Sequence, residues 1–95
     1  MSTFNLTYTT FSNNLLINYY SKSINVAVAK NSSKEADTWT YAVSFTSDNY
    51  GLSAIYDFNC PLIKNKINSS ATFYAYNPAS NTYTTTIIKA VAVGY

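Results

Sequence analysis

Residues 38–46 read Thr-Trp-Thr-Tyr-Ala-Val-Ser-Phe-Thr, and they carry the clearest structural pattern in the chain. Large apolar side chains occupy every second position, at Trp39, Tyr41, Val43 and Phe45, and small or polar residues stand between them. Successive side chains of a β-strand point to opposite faces of a sheet. The stretch therefore predicts a strand with one face in a core and the other in water.

The same alternation recurs on both sides of this stretch and predicts about seven strands in all. The further strands are predicted at Phe4, Leu6 and Tyr8; at 15–20; at Ile24, Val26 and Val28; at Leu52, Ala54, Tyr56 and Phe58; at 71–76; and at 82–93. Clusters of Asn, Ser, Asp, Pro and Gly predict turns at 12–14, 21–23, 31–37, 47–51, 59–65 and 77–81. Segment 31–37 has room for one helical turn, and segment 60–66 is expected to bridge two sheets.

The last predicted strand is apolar on both faces beyond Ile87, because Ile88, Ala90 and Ala92 alternate with Val91 and Val93. Two explanations fit this pattern. Either the strand is central and covered on both sides, or its second face makes a contact between chains.

Short connections between the predicted strands favour antiparallel hairpins, since a parallel crossover needs a dozen or more residues. A chain of 95 residues is expected to form a single domain, 1–95, with two layers around one core. The sequence therefore predicts an all-β, antiparallel two-sheet β-sandwich of about seven strands, either immunoglobulin-like or jelly-roll-like. A small β-barrel is the alternative.

The composition argues against catalysis. Charged residues make up only 11% of the chain, and His, Arg and Gln are absent, while Asn, Ser and Thr occur 12 times each. Without His there is no Ser-His-Asp machinery or imidazole metal ligand, and two glycines do not make a phosphate-binding loop. Asp48 and Asp57 are a conceivable glycosidase pair across the turn at Gly51, but surface roles are favoured. We expect a non-enzymatic protein without cofactor or metal.

Cys60 is the single cysteine, which excludes a disulfide within the chain and favours a buried thiol in a reducing compartment. The alternative is a disulfide between two chains. The first residues lack the basic and apolar regions of a signal peptide, and no stretch approaches the roughly 18 apolar residues of a membrane span. The expected location is cytoplasmic, or outside the cell after release without a classical signal peptide.

Ten tyrosines are more than a small core holds with every hydroxyl satisfied, so several are expected at the surface. Tyr beside Asn and Asp is typical of adaptable recognition surfaces. Two loop clusters fit: Asp48, Asn49 and Tyr50; and Tyr74, Tyr76, Asn77, Asn81 and Tyr83. Trp39 is a further candidate, although its shared face with Tyr41 favours the core, and cross-strand Tyr–Thr pairing explains the other tyrosines equally well.

These features favour a lectin-like protein that binds neutral sugars of a glycan or glycoconjugate through exposed Tyr, Asn and Asp side chains. Single shallow sugar sites bind weakly, so a homo-oligomer is expected, with the last strand as a possible interface. Alternatives are a structural or self-assembling β protein and a protein-recognition module such as an effector or inhibitor. A net charge of +2 gives no reason to expect nucleic acid as a partner.

Overall fold

Seven antiparallel strands make up the fold in a computed structural model, which describes residues 7–95. They are β1 (Tyr8–Thr10), β2 (Leu16–Val28), β3 (Ser32–Thr40), β4 (Gly51–Tyr56), β5 (Cys60–Lys64), β6 (Ser70–Asn77) and β7 (Tyr83–Gly94). One sheet has the order β1-β2-β7-β4 and the other the order β3-β6-β5. The predicted antiparallel β-sandwich is confirmed. Residues 7–95 contain no helix long and apolar enough to cross a membrane.

The strand order distinguishes between the topologies that the sequence left open. An immunoglobulin domain would place the fifth strand beside the first, second and fourth strands and the seventh strand in the other sheet. Here β7 lies between β2 and β4, and β5 lies beside β6. The chain runs out through β2, β3 and β4 and returns so that β6 pairs with β3 and β7 with β2, which is a jelly-roll-like winding. Two separate sheets also exclude the barrel alternative for the described residues.

An aromatic cluster between the sheets forms the centre of the core. Phe73, in the middle of β6, is fully buried, and its ring centroid lies 5.1 Å from that of Tyr20 and 6.4 Å from that of Tyr56. Trp39 stacks 6.2 Å from Phe73 on the β3 side, and Ile88 of β7 is also fully buried. Each aromatic pair contributes about 0.5–1.5 kcal/mol beyond the area that it buries.

The segment that defined the sequence pattern departs from the prediction, because β3 ends at Thr40 rather than at residue 46. The alternation nevertheless holds in burial, since Tyr41 and Phe45 are buried and Val43 is half-buried. This segment crosses between the sheets. Its backbone makes isolated hydrogen bonds in place of a continuous ladder: Tyr41 N donates to the Ser69 carbonyl and Phe45 N to the Asn68 carbonyl. An apolar alternation thus needs an extended backbone and a core, but no neighbouring strand.

Three predicted turns are in fact strands. Residues 21–23 lie within the long strand β2, which absorbs its polar stretch in an irregularity of register between Ser23 and Val26. Most of segment 31–37 belongs to β3, and the chain reverses just before it at Asn31, whose φ is 53°. Residues 60–64 form β5 rather than a bridge between sheets, and Cys60, predicted as a buried thiol, is exposed at the start of this edge strand. Phe4 and Leu6, predicted in the first strand, lie outside the described residues.

Strand β7 matches the first explanation for its two apolar faces only in part. It is central in its sheet, and Ile88 and Ala92 on its inner face are fully buried. Its outer face, however, is not covered by any part of residues 7–95, and Val93 there is 36% exposed. The predicted strand was therefore central, but only one of its faces is buried within the chain.

Candidate functional site

The residues that the sequence grouped as candidate ligand contacts lie in three separate places. Asp48, Asn49 and Tyr50 precede β4 at one end of the sandwich, beside the end of β7 at Gly94. Tyr83 begins β7 at the opposite end, about 36 Å away at the strand rise of 3.3 Å per residue. Tyr74 and Tyr76 lie on β6 and face outward from the three-stranded sheet, Tyr74 near the middle of the face and Tyr76 one residue before the end of the strand. No single site can therefore contain them all.

Trp39 is a core residue, with only 6% of its surface exposed. Its ring centroid lies 4.7 Å from that of Tyr41 and 5.3 Å from that of Tyr20. An edge of Trp39 borders a cleft of about 430 Å³ that Thr7 and Thr40 also line. Thr7 is the first described residue, and we assign no ligand to this cleft.

Tyr50 is also interior, at 7% exposure, because the ring of Phe45 stacks on it at 4.1 Å. Its hydroxyl donates to the Ile67 carbonyl at 2.6 Å and is also hydrogen-bonded to the Tyr41 hydroxyl. Lys66 Nζ lies 3.9 Å from the ring centroid and donates to the Asp48 and Tyr50 carbonyls. Tyr50 thus stabilises the structure, and Asp48 and Asn49 remain as exposed turn residues beside it.

Asn77 is 1% exposed and organises the hairpin between β6 and β7. Its Nδ2 donates to the carbonyls of Val28, at 2.8 Å, and Asn81, at 2.7 Å, and its Oδ1 accepts from Ala79 N at 2.9 Å. The side chain replaces a backbone turn, as Asx side chains commonly do. Of the predicted residues near this hairpin, Asn81 and Tyr83 therefore present exposed side chains at this end of the sandwich, and Tyr76 is exposed on the outer face of the three-stranded sheet.

An exposed aromatic pair does occur at this end, formed by Phe58 and Tyr83. The two rings are 52% and 41% exposed, parallel to within 3°, with centroids 5.9 Å apart. Beside them is a shallow depression of about 450 Å³, bordered by Pro78 and Ala79 of the β6–β7 hairpin. We call these two rings and the depression the Phe58–Tyr83 platform. It offers exposed aromatic surface next to backbone and side-chain hydrogen-bonding groups.

Asp57 supplies the charge at the platform. Its carboxylate accepts hydrogen bonds from the Thr86 hydroxyl, from Thr86 N at 2.9 Å and from Ile87 N at 3.2 Å. These bonds, that of the hydroxyl first, lower the pKa of Asp57 to about 2, so the group is ionised at neutral pH. A carboxylate has about four acceptor positions, so roughly one remains for a ligand.

Asn59, the residue after Phe58, joins the turn after β4 to the beginning of β7 through side-chain hydrogen bonds. Its φ is 67°, a left-handed conformation that Asn tolerates, and its Nδ2 donates to Tyr83 O at 3.2 Å and Thr85 Oγ1 at 2.9 Å. Its Oδ1 is buried and has no hydrogen-bond partner within residues 7–95. Such an acceptor costs about 1–3 kcal/mol. Because both Nδ2 hydrogens are used, exchanging the two amide positions would not remove this cost.

The sequence prediction missed Phe58 because its parity matches Leu52, Ala54 and Tyr56. That face is confirmed as far as Tyr56, where β4 ends, and Phe58 falls in the following turn. The flanking residues Asp57 and Asn59 are strong turn formers, and they were the signal that an aromatic residue between them would be exposed.

Comparison with known proteins adds one structural likeness. No protein-family model matches the sequence, and no curated protein is significantly similar to it. The fold is similar to a structure of the P. aeruginosa R1 pyocin fiber comprising its C-terminal residues 323–701, with a TM-score of 0.58 and 12% sequence identity. The likeness covers 87% of this chain and 24% of that fragment, so this chain spans about a quarter of its length. At this identity the comparison concerns the fold alone.

Proposed function

We propose that this protein is a non-enzymatic, lectin-like carbohydrate-binding protein whose sugar-contacting surface is the Phe58–Tyr83 platform. The exposed pair of parallel rings is the observation that carries the proposal. The C–H face of a pyranose packs on such rings, and the flat apolar area excludes water there. Ring hydroxyls of the sugar would reach the remaining acceptor position of Asp57 and the exposed amide of Asn81.

The charge at the platform supports neutral sugars as the ligand class. Asp57 is ionised, and residues 7–95 hold no cation in hydrogen-bond contact with it. An acidic sugar would place a second negative charge beside this carboxylate, whereas a neutral hydroxyl donates to it. We therefore expect neutral hexoses to bind in preference to sialylated or sulfated sugars.

The placement of the carboxylates supports binding rather than hydrolysis. Asp48 and Asp57 stand on either side of the six-residue strand β4, which separates them by about 20 Å at 3.3 Å per residue. Glycosidases hold their two carboxylates about 5–9.5 Å apart. Gly51, at which a turn could have brought these two carboxylates together, is instead the first residue of β4, which agrees with the favoured surface roles of Asp48 and Asp57.

A glycan array followed by calorimetric titration tests the proposal. Tyr83→Ala and Phe58→Ala should each raise the dissociation constant for the bound sugar at least about tenfold, or about 1.4 kcal/mol. Tyr76→Ala is the matched control, because Tyr76 is 37% exposed, nearly as much as Tyr83, but lies on the outer face of the three-stranded sheet. Circular dichroism would confirm that each variant is folded.

Binding that survives both platform substitutions but is lost in Tyr76→Ala would move the sugar site to the outer face of β6 and overturn the platform. If the folded protein binds no saccharide on the array, the carbohydrate proposal itself fails.

A structural role is the second candidate. The similarity to a segment of a pyocin fiber favours it, since a fiber domain of this fold would connect or support neighbouring parts of an assembly. The uncovered outer face of β7 also favours a structural role, because such a face can pack against a neighbouring part of an assembly. The two functions are compatible, because a weak sugar site gains avidity when several copies are held together.

A further inference from the structure

The outer face of the four-stranded sheet is largely apolar in the described part of the chain, with the small polar residues Ser21, Ser23 and Ser53 among its apolar side chains. Cross-strand pairing places Ile17 beside Val93, Tyr19 beside Val91, and Ile55 beside Lys89. Ile55 is 71% exposed and Tyr19 is 38% exposed. We call these side chains, together with Ile87 of β7, the apolar face. Patches of this kind are uncommon on monomeric proteins unless they bind something.

Lys89 is the one cation on this face within residues 7–95, and the Asp57 carboxylate lies at the edge of the face, where it accepts a hydrogen bond from Ile87 N. Lys89 lies on the central strand with Ile87 and Val91 two residues to either side, it is exposed, and it makes no salt bridge. A cation surrounded by apolar side chains prefers a partner surface that is apolar but presents one carboxylate. A second copy placed symmetrically on the same face would bring two lysines together, which is unfavourable.

The outer face of the three-stranded sheet has the complementary character. The pairing Glu35–Tyr74–Leu62 forms one row across this sheet, and Tyr76 lies in the next row. Glu35 is exposed and unpaired among the described residues, and Leu62 is 38% exposed. The nearest cation on the face, Lys64, lies over the Tyr74 ring at 4.3 Å from its centroid, on the strand farthest from Glu35.

We propose that copies of this protein stack head to tail, with the apolar face of one copy against the outer face of the three-stranded sheet of the next, and with Lys89 opposite Glu35. A heterologous contact of this kind leaves the same two faces free at the ends of the stack, so it extends into a filament. Stacked sheets pack about 10 Å apart, which fits two flat faces without long loops between them.

The size of the contact predicts weak association for one pair. The smaller of the two faces has three strands spaced about 4.8 Å apart with a mean length of about seven residues, so it presents about 14 by 23 Å, or about 330 Å². Stable interfaces bury about 800 Å² per partner. We therefore expect concentration-dependent self-association, with the charge pair fixing which faces meet and in what register. This interface adjoins the Phe58–Tyr83 platform where Asp57 contacts Ile87, but Lys89 and Glu35 lie outside the platform, so substitutions there test the interface without altering the platform residues.

Charge reversal distinguishes this arrangement from others. Sedimentation velocity over about 10 µM to 1 mM protein should show reversible association of the wild type. Lys89→Glu and Glu35→Lys should each weaken it at least about tenfold, because like charges then meet at the contact. The double variant should associate again, and so should an equimolar mixture of the two single variants, since every contact then joins opposite charges. Lys30→Glu, in the exposed turn between β2 and β3, is the control for net charge.

Three results would overturn the proposal: a wild type that stays monomeric over this range, a Glu35→Lys variant that associates like the wild type, or single variants that do not recover when mixed. Association that depends on Lys89 but not on Glu35 would indicate a symmetric contact between two apolar faces instead.

Discussion

Replacing Asn18 with Ala should destabilise the protein far more than its polarity and its place in a strand suggest. Asn18 is fully buried in β2, and its side chain acts as a short piece of neighbouring strand. Nδ2 donates to the Val43 carbonyl at 3.0 Å, and Oδ1 accepts from Val43 N at 3.3 Å. These two bonds hold the middle of the segment that crosses between the sheets.

The expected loss follows from those two bonds. Each hydrogen bond contributes about 1 kcal/mol net, and unpaired buried backbone groups add about 1–3 kcal/mol. Since Val43 is only half-buried, water replaces part of the loss, and we expect about 3 kcal/mol in total. For a domain of this size that lowers Tm by about 12–24 °C. At a urea m-value of about 1.5 kcal/mol/M, the unfolding midpoint falls by about 2 M.

Urea unfolding followed by fluorescence is a suitable assay, because Trp39 is the single tryptophan and its ring lies 4.7 Å from that of Tyr41 in the same segment. Asn25→Ala is the matched control, being an exposed Asn on the same strand, and should change stability by less than about 0.5 kcal/mol. If Asn18→Ala costs no more than this control, the crossing segment is held by the packing of its aromatic rings, and the reasoning about Asn18 is wrong.

Three further changes test other parts of the structure. Gly94→Ala should cost about 1–3 kcal/mol, because the new Cβ would lie 2.5 Å from Tyr50 Cβ, whereas Gly51→Ala, with its nearest atom at 3.8 Å, should be nearly neutral in the same urea assay. Burial raises the pKa of Tyr56 to about 12, so the stability that its neutral form contributes is complete below pH 10 and is lost as the pH rises from 10 through 12. Tyr56→Phe should therefore lose less stability than the wild type over this pH range. Urea unfolding midpoints, with tyrosinate absorbance to follow ionisation, check this. Burial tends to raise the pKa of Asp37, but hydrogen bonds from Tyr20 and Lys22 outweigh this effect and hold the pKa below its normal value. The stability that ionised Asp37 contributes above about pH 3.9 is therefore lost on acidification. Asp37→Asn should flatten that acid limb of the midpoint-versus-pH curve, and an unchanged limb would contradict the assignment.

The sequence by itself determined the class of fold and the direction in which most side chains point. Alternation is a local property of the backbone, so Val26 and Val28, Leu52 and Ala54, and Tyr41 and Phe45 all face inward as the pattern predicts. This holds even where Tyr41 and Phe45 belong to no strand, because burying an apolar side chain requires only a core on that side.

The tertiary structure alone decided which segments pair and which aromatic rings remain in water. Strand pairing depends on residues far apart in the chain, so nothing near Ser21 or Cys60 indicated that a partner strand would convert a predicted turn into part of a sheet. Tyr50 and Phe58 show the same limit for the candidate site. Both stand among turn-forming residues, yet the stacked ring of Phe45 buries Tyr50, whereas the turn after β4 carries Phe58 outward beside Tyr83. A local pattern fixes the side of the backbone on which a ring lies, and only the packing of distant segments fixes whether anything covers it.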